Sequence, residues 1–329
     1  LGFGGIPIQR IDPQQTRVLM EEMVRQGINY IDTARGYTVS EQYLGEALKG
    51  IRDKFILATK SMSRDFEGMK RDIDISLSNL QTDYSLRALR TDHIELYQFH
   101  NPRMEDFKKV LSAGGAMEAL VQAKEQGKIG HTGLTAHSLA VFEEALNHPE
   151  IETIMFPYNI VENQGEELIH RCKEQNVGFI CMKPLAGGAI EDATLAIRYI
   201  LQNDNVTVII PGMAGLEELA QNVEAAKNTQ PLTAQEQNSI EKVRNQLGQN
   251  FCRRCNYCAP CTVGINIPSV FLFQGYLQRY GLGEWAKERY ATLSAKASDC
   301  IKCGACETRC PYELPIRKML EQAAKDFGV

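Results

Sequence analysis

Up to about residue 232, short apolar runs alternate with stretches whose apolar positions recur every three or four residues. The apolar runs are Leu1–Ile8, Tyr30–Asp32, Phe55–Lys60, Ile94–Phe99, Ile129–Leu134, Thr153–Pro157, Val177–Met182 and Val206–Ile210, which makes eight candidate strands. Between them lie helical patterns such as Pro13–Gln26, Met117–Gln126, Gly165–Gln175 and Leu216–Ala226. Strand–helix alternation predicts parallel strands joined by crossovers. Eight units in this length fit an α/β fold of the (β/α)8 barrel type. An open doubly wound sheet is the alternative. It normally carries a glycine-rich turn between its first strand and first helix, and Leu1-Gly2-Phe3-Gly4-Gly5 has neither that spacing nor a helix after it.

The pattern then changes. Residues 233–250 read as a polar connecting helix with Thr233 as its N-cap. Residues 251–329 read as a small, mainly helical domain, with helical character over Ile267–Ala297, around the single tryptophan Trp285, and again over Leu314–Phe327. The expected domains are therefore a barrel over 1–232, a connector over 233–250 and a second domain over 251–329. One irregularity interrupts the barrel. Ser76–Tyr84 is followed at once by Ser85–His93, and the two nonamers share Ser, Leu, Leu, Thr and Asp at matching places. At about 100° per residue, nine residues rotate a helix by about two and a half turns, so the second copy's apolar face points the wrong way. One copy is expected to be helix and the other a protruding loop or extra half-helix, close enough to perturb His100.

Size and charge narrow the function. The chain has 329 residues, 43% of them hydrophobic, and a formal charge of −5. That balance argues against nucleic acid as the main partner. No run approaches the roughly 20 apolar residues of a membrane span. No export signal is visible, and the chain opens on Leu1 rather than methionine, which points to a truncated start.

Eight of the ten cysteines form two runs: Cys252, Cys255, Cys258 and Cys261, then Cys300, Cys303, Cys306 and Cys310 followed by Pro311. The second run has the C-x2-C-x2-C-x3-C-P spacing of bacterial ferredoxins, in which three thiolates hold one cubic cluster and the fourth the other. Two 4Fe–4S clusters need eight thiolates. If both form with crossed fourth ligands, Cys310 joins Cys252, Cys255 and Cys258, and Cys261 joins Cys300, Cys303 and Cys306. Because the last gap of the first run is two residues, a single cluster is the other option. Structural zinc prefers separated pairs of ligands, and disulfides suit small secreted domains; neither matches these runs well. Cys172 and Cys181 stand apart and read as buried, inert thiols. Thiolate clusters without a signal point to a reducing cytoplasm.

In a (β/α)8 barrel, chemistry sits at the C-terminal ends of the strands. Those ends carry Asp32, Lys60 and His100, with Tyr37 in the loop after Asp32. Each alone is unremarkable as a cap, a surface phenol, a snorkelling amine or a satisfied imidazole; together on adjacent strands they suggest a site. A phenol with a pKa of about 10 is a poor acid near neutrality, and a neighbouring ammonium favours its ionised form. Asp32 would hold Lys60 charged, His100 would orient a carbonyl or relay a proton, and Tyr37 would protonate the carbonyl oxygen as hydride arrives at carbon.

These segments, namely Gly27–Ala34 with Tyr37, the strand ending at Lys60, and Leu96–Pro102, resemble the aldo-keto reductases across residues 1–230. With the cysteine domain, the chain resembles the ferredoxin-fused branch of that family. The resemblance implies the catalytic tetrad Asp32, Tyr37, Lys60 and His100, a nicotinamide cofactor (NADH or NADPH), and a small carbonyl or alcohol substrate. It also implies cofactor contacts from Thr135, Met182, Pro211, Gly212 and Asn222, with the Gly187–Gly188 turn either approaching the pyrophosphate or serving as an ordinary turn. Thr135-Ala136 stands where the family has Ser-Asn, Met155 where it has glutamine, and Met182 where it has tyrosine. Gly212 and Glu218 occupy places where NADP-using relatives carry Lys or Arg, which favours NADH. Hydride moves two electrons and a cluster one, so coupling them normally needs a flavin, and no flavin pattern is apparent. Three functions stay open: a reductase with structural or docking clusters, an electron-transfer protein serving a redox partner, and a non-catalytic regulatory barrel.

Overall fold

The computed structural model describes residues 1–80, 93–248, 251–279 and 283–328, and these fall into two compact units. The first comprises Leu1–Leu185 and Glu191–Gln237; the second comprises Ala186–Ile190 and Asn238–Val329. Residues 81–92, which hold most of the second nonamer, lie outside the described residues.

The first unit is an eight-stranded parallel sheet in sequential order. Its strands are β1 (Phe3–Gly4), β2 (Tyr30–Asp32), β3 (Ile56–Ser61), β4 (Ile94–His100), β5 (Ile129–Thr135), β6 (Thr153–Pro157), β7 (Gly178–Met182) and β8 (Val208–Ile209). Parallel bridging of Gly4 with Gly212, and donation from Gly4 N to Pro211 O at 2.9 Å, close the ring. A side chain at Gly212 would strike Pro7, so the closure requires glycine there. The helices are α1 (Pro13–Arg25), α2 (Ser40–Ala47), α3 (Phe66–Leu80), α4 (Met104–Leu111), α5 (Ala116–Glu125), α6 (Leu139–Ala145), α7 (Glu166–Glu174), α8 (Ala193–Leu201) and α9 (Leu216–Lys227). The expected first strand over Leu1–Ile8 shrinks to two residues, because Pro7 opens a single 3-10 turn over Pro7–Arg10.

α1 illustrates how local sequence sets these elements. Asp12 accepts from Gln15 N at 2.7 Å while its own N–H donates to the Gln15 side chain, and Pro13 occupies the first helical position. Such a cap is worth about 1 kcal/mol. Thr16, Leu19, Met20 and Met23 form the buried stripe, and Gly27, at φ +74°, stops the helix in a conformation that suits glycine. The strands are buried on both faces, as parallel strands are. Outward residues such as Ile31, Leu57, Tyr97, Phe99 and Phe179 pack under the helices, whereas Tyr30, Ala58, Leu96, Met155, Ile180, Met182 and Ile210 form a separate interior cluster.

α10 (Ala234–Leu247) starts on a reciprocal cap: Thr233 Oγ1 accepts from Glu236 N, and Glu236 accepts from Thr233 N at 2.7 Å. The unit boundary falls inside this helix. The second unit adds α11 (Ile267–Arg279), α12 (Gly283–Ala291), α13 (Ala305–Thr308) and α14 (Ile316–Phe327), and no strand among its described residues. α14 buries Ile316, Leu320, Ala323 and Ala324, one face at helical spacing. That face shares its core with Val270, Phe271, Tyr290, Cys258 and Cys306.

Candidate active site and cysteine centre

Side chains two residues apart on a strand share a face. Asp32 therefore lies above Tyr30, Lys60 above Ala58, and Gln98 and His100 above Leu96, all turned into the barrel. Lys60, 2% exposed, donates to the Asp32 carboxylate and, at 2.8 Å, to Thr33 O. Gln98, fully buried, donates its amide to the other Asp32 oxygen at 3.2 Å. Burial pushes the Asp32 carboxyl up and the Lys60 ammonium down, and each partner's charge opposes the other's shift. The Tyr37 ring lies under Lys60, with Nζ 5.1 Å from its centroid. The His100 ring meets the Tyr37 ring edge-on at 5.9 Å. Burial first, then the cations Lys60, Arg64 and Lys183, holds His100 well below its usual pKa, so its imidazole is neutral at neutral pH. Arg64 donates to His100 O at 2.8 Å. Asp32, Tyr37, Lys60 and His100 thus converge.

The loops leaving these strands are strained where they leave the site. Thr38 after Tyr37, Asn101 after His100 and Lys183 after Met182 all have positive φ, a conformation that concentrates at functional loops.

The remaining sequence-named positions divide. Thr135 ends β5, and its hydroxyl accepts from Asn101 N at 2.9 Å, which leaves its proton free for another acceptor. Met182 ends β7 inside the interior cluster, beside Met155. Pro211 and Gly212 lie at the barrel closure, and Asn222 is buried on α9. Glu218, in the first turn of α9, accepts from Ala214 N at 2.6 Å. Gly187 and Gly188 belong to the second unit, where side chains on them would collide with the Arg253 carbonyl and the Arg254 guanidinium. Cys172 and Cys181 are fully buried, and Cys181 lies against Tyr158 O.

Several residues escaped the sequence reading. Gln98 is one. His137, 7% exposed, contacts Asn101 Oδ1 at 2.9 Å. Glu41, 2% exposed, accepts from Thr59, Ser76, Asn79 and Arg35, locking β3, the strand that carries Lys60, to α2 and α3. Gln98 could have been found from its two-residue spacing before His100. The partners of Glu41 come from three separate segments and leave no local signal.

In the second unit the two cysteine runs share a backbone plan. Arg254 and Asn256 flank Cys255 with φ of 52° and 64°; Lys302 and Gly304 flank Cys303 with 57° and 80°. Three residues after the last cysteine of each run comes another left-handed residue, Gly264 or Glu313, whose N–H donates back to Cys261 O or Cys310 O. The unequal last gaps therefore build equivalent loops. Burial, then the thiolates of Cys252, Cys255 and Cys310, push the Cys258 thiol up to about 12. Cys261, Cys300, Cys303 and Cys306 line one concavity together with Arg309 and Arg317. Among the described residues no three His, Cys, Asp or Glu side chains converge on a single metal ion. A cubic cluster takes one thiolate at each corner iron and suits a wider cage.

Residues 1–194 and 190–245 match the aldo/keto reductase family. The chain belongs to the aldo/keto reductase family. Residues 251–315 match the 4Fe–4S dicluster domain, so this aldo/keto reductase carries an iron–sulfur domain after its barrel in sequence. It is similar to the uncharacterized oxidoreductase YqkF of Bacillus subtilis, at 25% identity over 69% of this chain and 87% of the relative. It is also similar to L-galactose dehydrogenase of Arabidopsis thaliana, at 24% identity over 70% of this chain and 85% of the relative. Among solved structures it resembles the holo form of aldo-keto reductase AKR11C1 from Bacillus halodurans, with a TM-score of 0.62 and 28% identity over 74% of this chain and 91% of that one. No helix among the described residues is long and apolar enough to cross a membrane.

Proposed function

We propose that the barrel moves hydride between a nicotinamide cofactor and a small aldehyde or ketone, or the corresponding alcohol in reverse. The observation that carries this reading is the buried Lys60–Asp32 pair with the Tyr37 ring 5.1 Å from Lys60 and His100 behind it. Bound nicotinamide supplies or accepts the hydride at the substrate carbon. Tyr37 gives its phenolic proton to the substrate oxygen. Lys60 favours the phenolate left behind, because an adjacent ammonium stabilises that charge. Asp32, held from the other side by Gln98, fixes the ammonium in place. His100, being neutral, donates one N–H to the substrate oxygen and orients it without adding a second cation.

Thr135 can donate its hydroxyl proton to the carboxamide, and Met182 can pack on a ring face. Pro211, Gly212 and Asn222 would hold the adenine end, where the Glu218 carboxylate disfavours a 2′-phosphate and so favours NADH. The eight thiolates would hold two 4Fe–4S clusters in crossed quartets, tying the start of the small domain to its end. Such thiolates survive in a reducing compartment, which we take to be the cytoplasm.

Tyr37→Phe tests the reading. Turnover of a small aldehyde panel with NADH is expected to fall by about a hundredfold or more, the contribution of a positioned general acid, while nicotinamide binding followed by fluorescence is unchanged. Retained turnover removes Tyr37 from its role. Absence of any nicotinamide binding in the parent protein replaces the reductase with a regulatory barrel.

A further inference from the structure

The shared plan of the two cysteine runs makes their differences informative. Between its first two cysteines the first run places Arg253 and Arg254, and the second places Ile301 and Lys302. Arg253 is 7% exposed, stacked between the Phe251 and Tyr312 rings, and the 253–254 loop lies against the Gly187–Gly188 turn. Its counterpart is inverted. Ile301, an apolar residue, is 60% exposed, and Lys302 and Cys303 beside it are exposed as well. The polar residue is buried in one loop and the apolar residue is bare in the other. A lone exposed apolar residue is ordinary on a protein surface; Ile301 stands out through its neighbours, an exposed cysteine of the cluster run and a set of cations.

The rim of this loop is basic in a chain whose net charge is negative. Lys302, Arg309 and Arg317 lie at it, with Lys318 next to Glu307, against Asp299, which accepts from Lys296 N at 2.7 Å, Glu307, which pairs with Arg317, and Glu321, which faces Lys302 at 3.6 Å. The Arg309 guanidinium donates to the carbonyls of Ala259, Pro260 and Ala305, and it has no carboxylate partner among the described residues.

We propose that the Ile301–Lys302 loop is the docking surface for a small acidic one-electron carrier protein. Ile301 is the apolar centre of the contact, and the basic rim selects an acidic partner and speeds encounter. The partner would sit directly over Cys303, the most open of the thiols. This proposal does not require the barrel to turn over.

The test uses the full chain loaded with iron and titrated by calorimetry with an acidic [2Fe–2S] ferredoxin, an acidic flavodoxin and, as a basic protein of similar size, cytochrome c. The double variant Ile301→Ser/Lys302→Asn removes the apolar centre and one charge, and asparagine tolerates the positive φ at 302. Binding of at least one acidic carrier is expected. It should weaken about tenfold or more in the double variant and fall steeply with salt, at unchanged iron content and cluster spectrum. Should that variant lose iron, Lys318→Glu, away from the cysteines, is expected to weaken binding in the same direction. Val121→Ser/Lys124→Asn on α5 is expected to leave binding unchanged. The proposal is overturned if neither acidic carrier binds, if cytochrome c binds as well, or if the rim variants bind like the parent. It is equally overturned if ultracentrifugation shows self-association that the Ile301 variant abolishes, which would make a second copy the occupant.

Discussion

The barrel rim and the cysteine runs are both clusters of ionisable groups in a partly buried setting, yet they solve opposite electrostatic problems. In the barrel the charges differ in sign. Asp32 and Lys60 neutralise each other, Gln98 and Thr33 O take up remaining hydrogen bonds, and His100 is kept uncharged. That arrangement is complete within the chain. In the cysteine unit the groups are alike. Burial and neighbouring thiolates raise the Cys258 thiol to about 12, and burial, then the Glu307 carboxylate and last Cys300, raises Cys306. Ionised together they repel, so bound iron would be what makes the full set of thiolates favourable. One site is preorganised by the fold; the other helps to make the fold.

The largest effect that follows concerns iron removal. Both Cys258 and Cys306 are part of the small core around α14, and the crossed quartets would tie Cys252–Cys258 to Cys310. Stripping iron with a chelator under reducing conditions is expected to melt the second unit while the barrel survives. Limited proteolysis should then cut beyond α10 and leave a stable fragment ending near residue 245, and circular dichroism should lose helix but keep a cooperative transition. Intact, protease-resistant apoprotein would mean that the helices alone hold the unit together.

A smaller but still large effect probes the barrel side. Lys60→Met leaves the buried Asp32 without its counter-charge, a loss of about 3–5 kcal/mol for a pair of this kind. Asp32→Asn added to it removes the stranded charge, so the double variant should recover most of the barrel's thermal midpoint and none of its turnover. If the double variant is no more stable than the single one, the pair is not the electrostatic unit described above.

The two regions were also unequally legible in the sequence. Strand-end residues Asp32, Lys60 and His100 stood out because a barrel sends every strand to the same rim, so position along each strand substitutes for three-dimensional knowledge. The cysteine runs stood out because cluster ligation fixes spacing within one loop. Glu41 was invisible, since Thr59, Ser76, Asn79 and Arg35 converge on it only after folding. The inward side of β4 was read at His100 and not at Gln98, although the same two-residue period covers both. The Gly187–Gly188 turn was read as part of the barrel rim, and its grouping with Arg253 and Arg254 depends on contacts about 66 residues apart in sequence, which no local pattern encodes. Ile301 differs again: its apolar character was plain, but its exposure depends on what the rest of the unit leaves uncovered.

The smallest effect tests whether charge pairing away from the rim follows the same rule as the Asp32–Lys60 pair. Arg198 on α8 is 3% exposed, and its guanidinium donates to Glu236 through both Nε and Nη2, with a further bond to Asn228 O at 2.7 Å. Glu236 also accepts from Thr233 at the start of α10, and its carboxyl is held down at about 2, first by Arg198 and then by the Thr233 N–H. A carboxylate whose pKa is depressed in the folded state contributes stability above its unfolded value, here 4.5, and loses it as pH falls towards about 2. Because the Glu236 side chain is 25% exposed, solvent screening limits the pair. Glutamine at 236 keeps one acceptor oxygen for Arg198 Nη2 and the Thr233 N–H and loses the acceptor for Arg198 Nε. Glu236→Gln should therefore cost only about 1 kcal/mol near neutrality. In calorimetric scans of the barrel transition, parent and variant should differ at pH 7 and converge between pH 4.5 and 2. A gap that persists unchanged at the acid end would show that packing, not charge, ties α10 to α8.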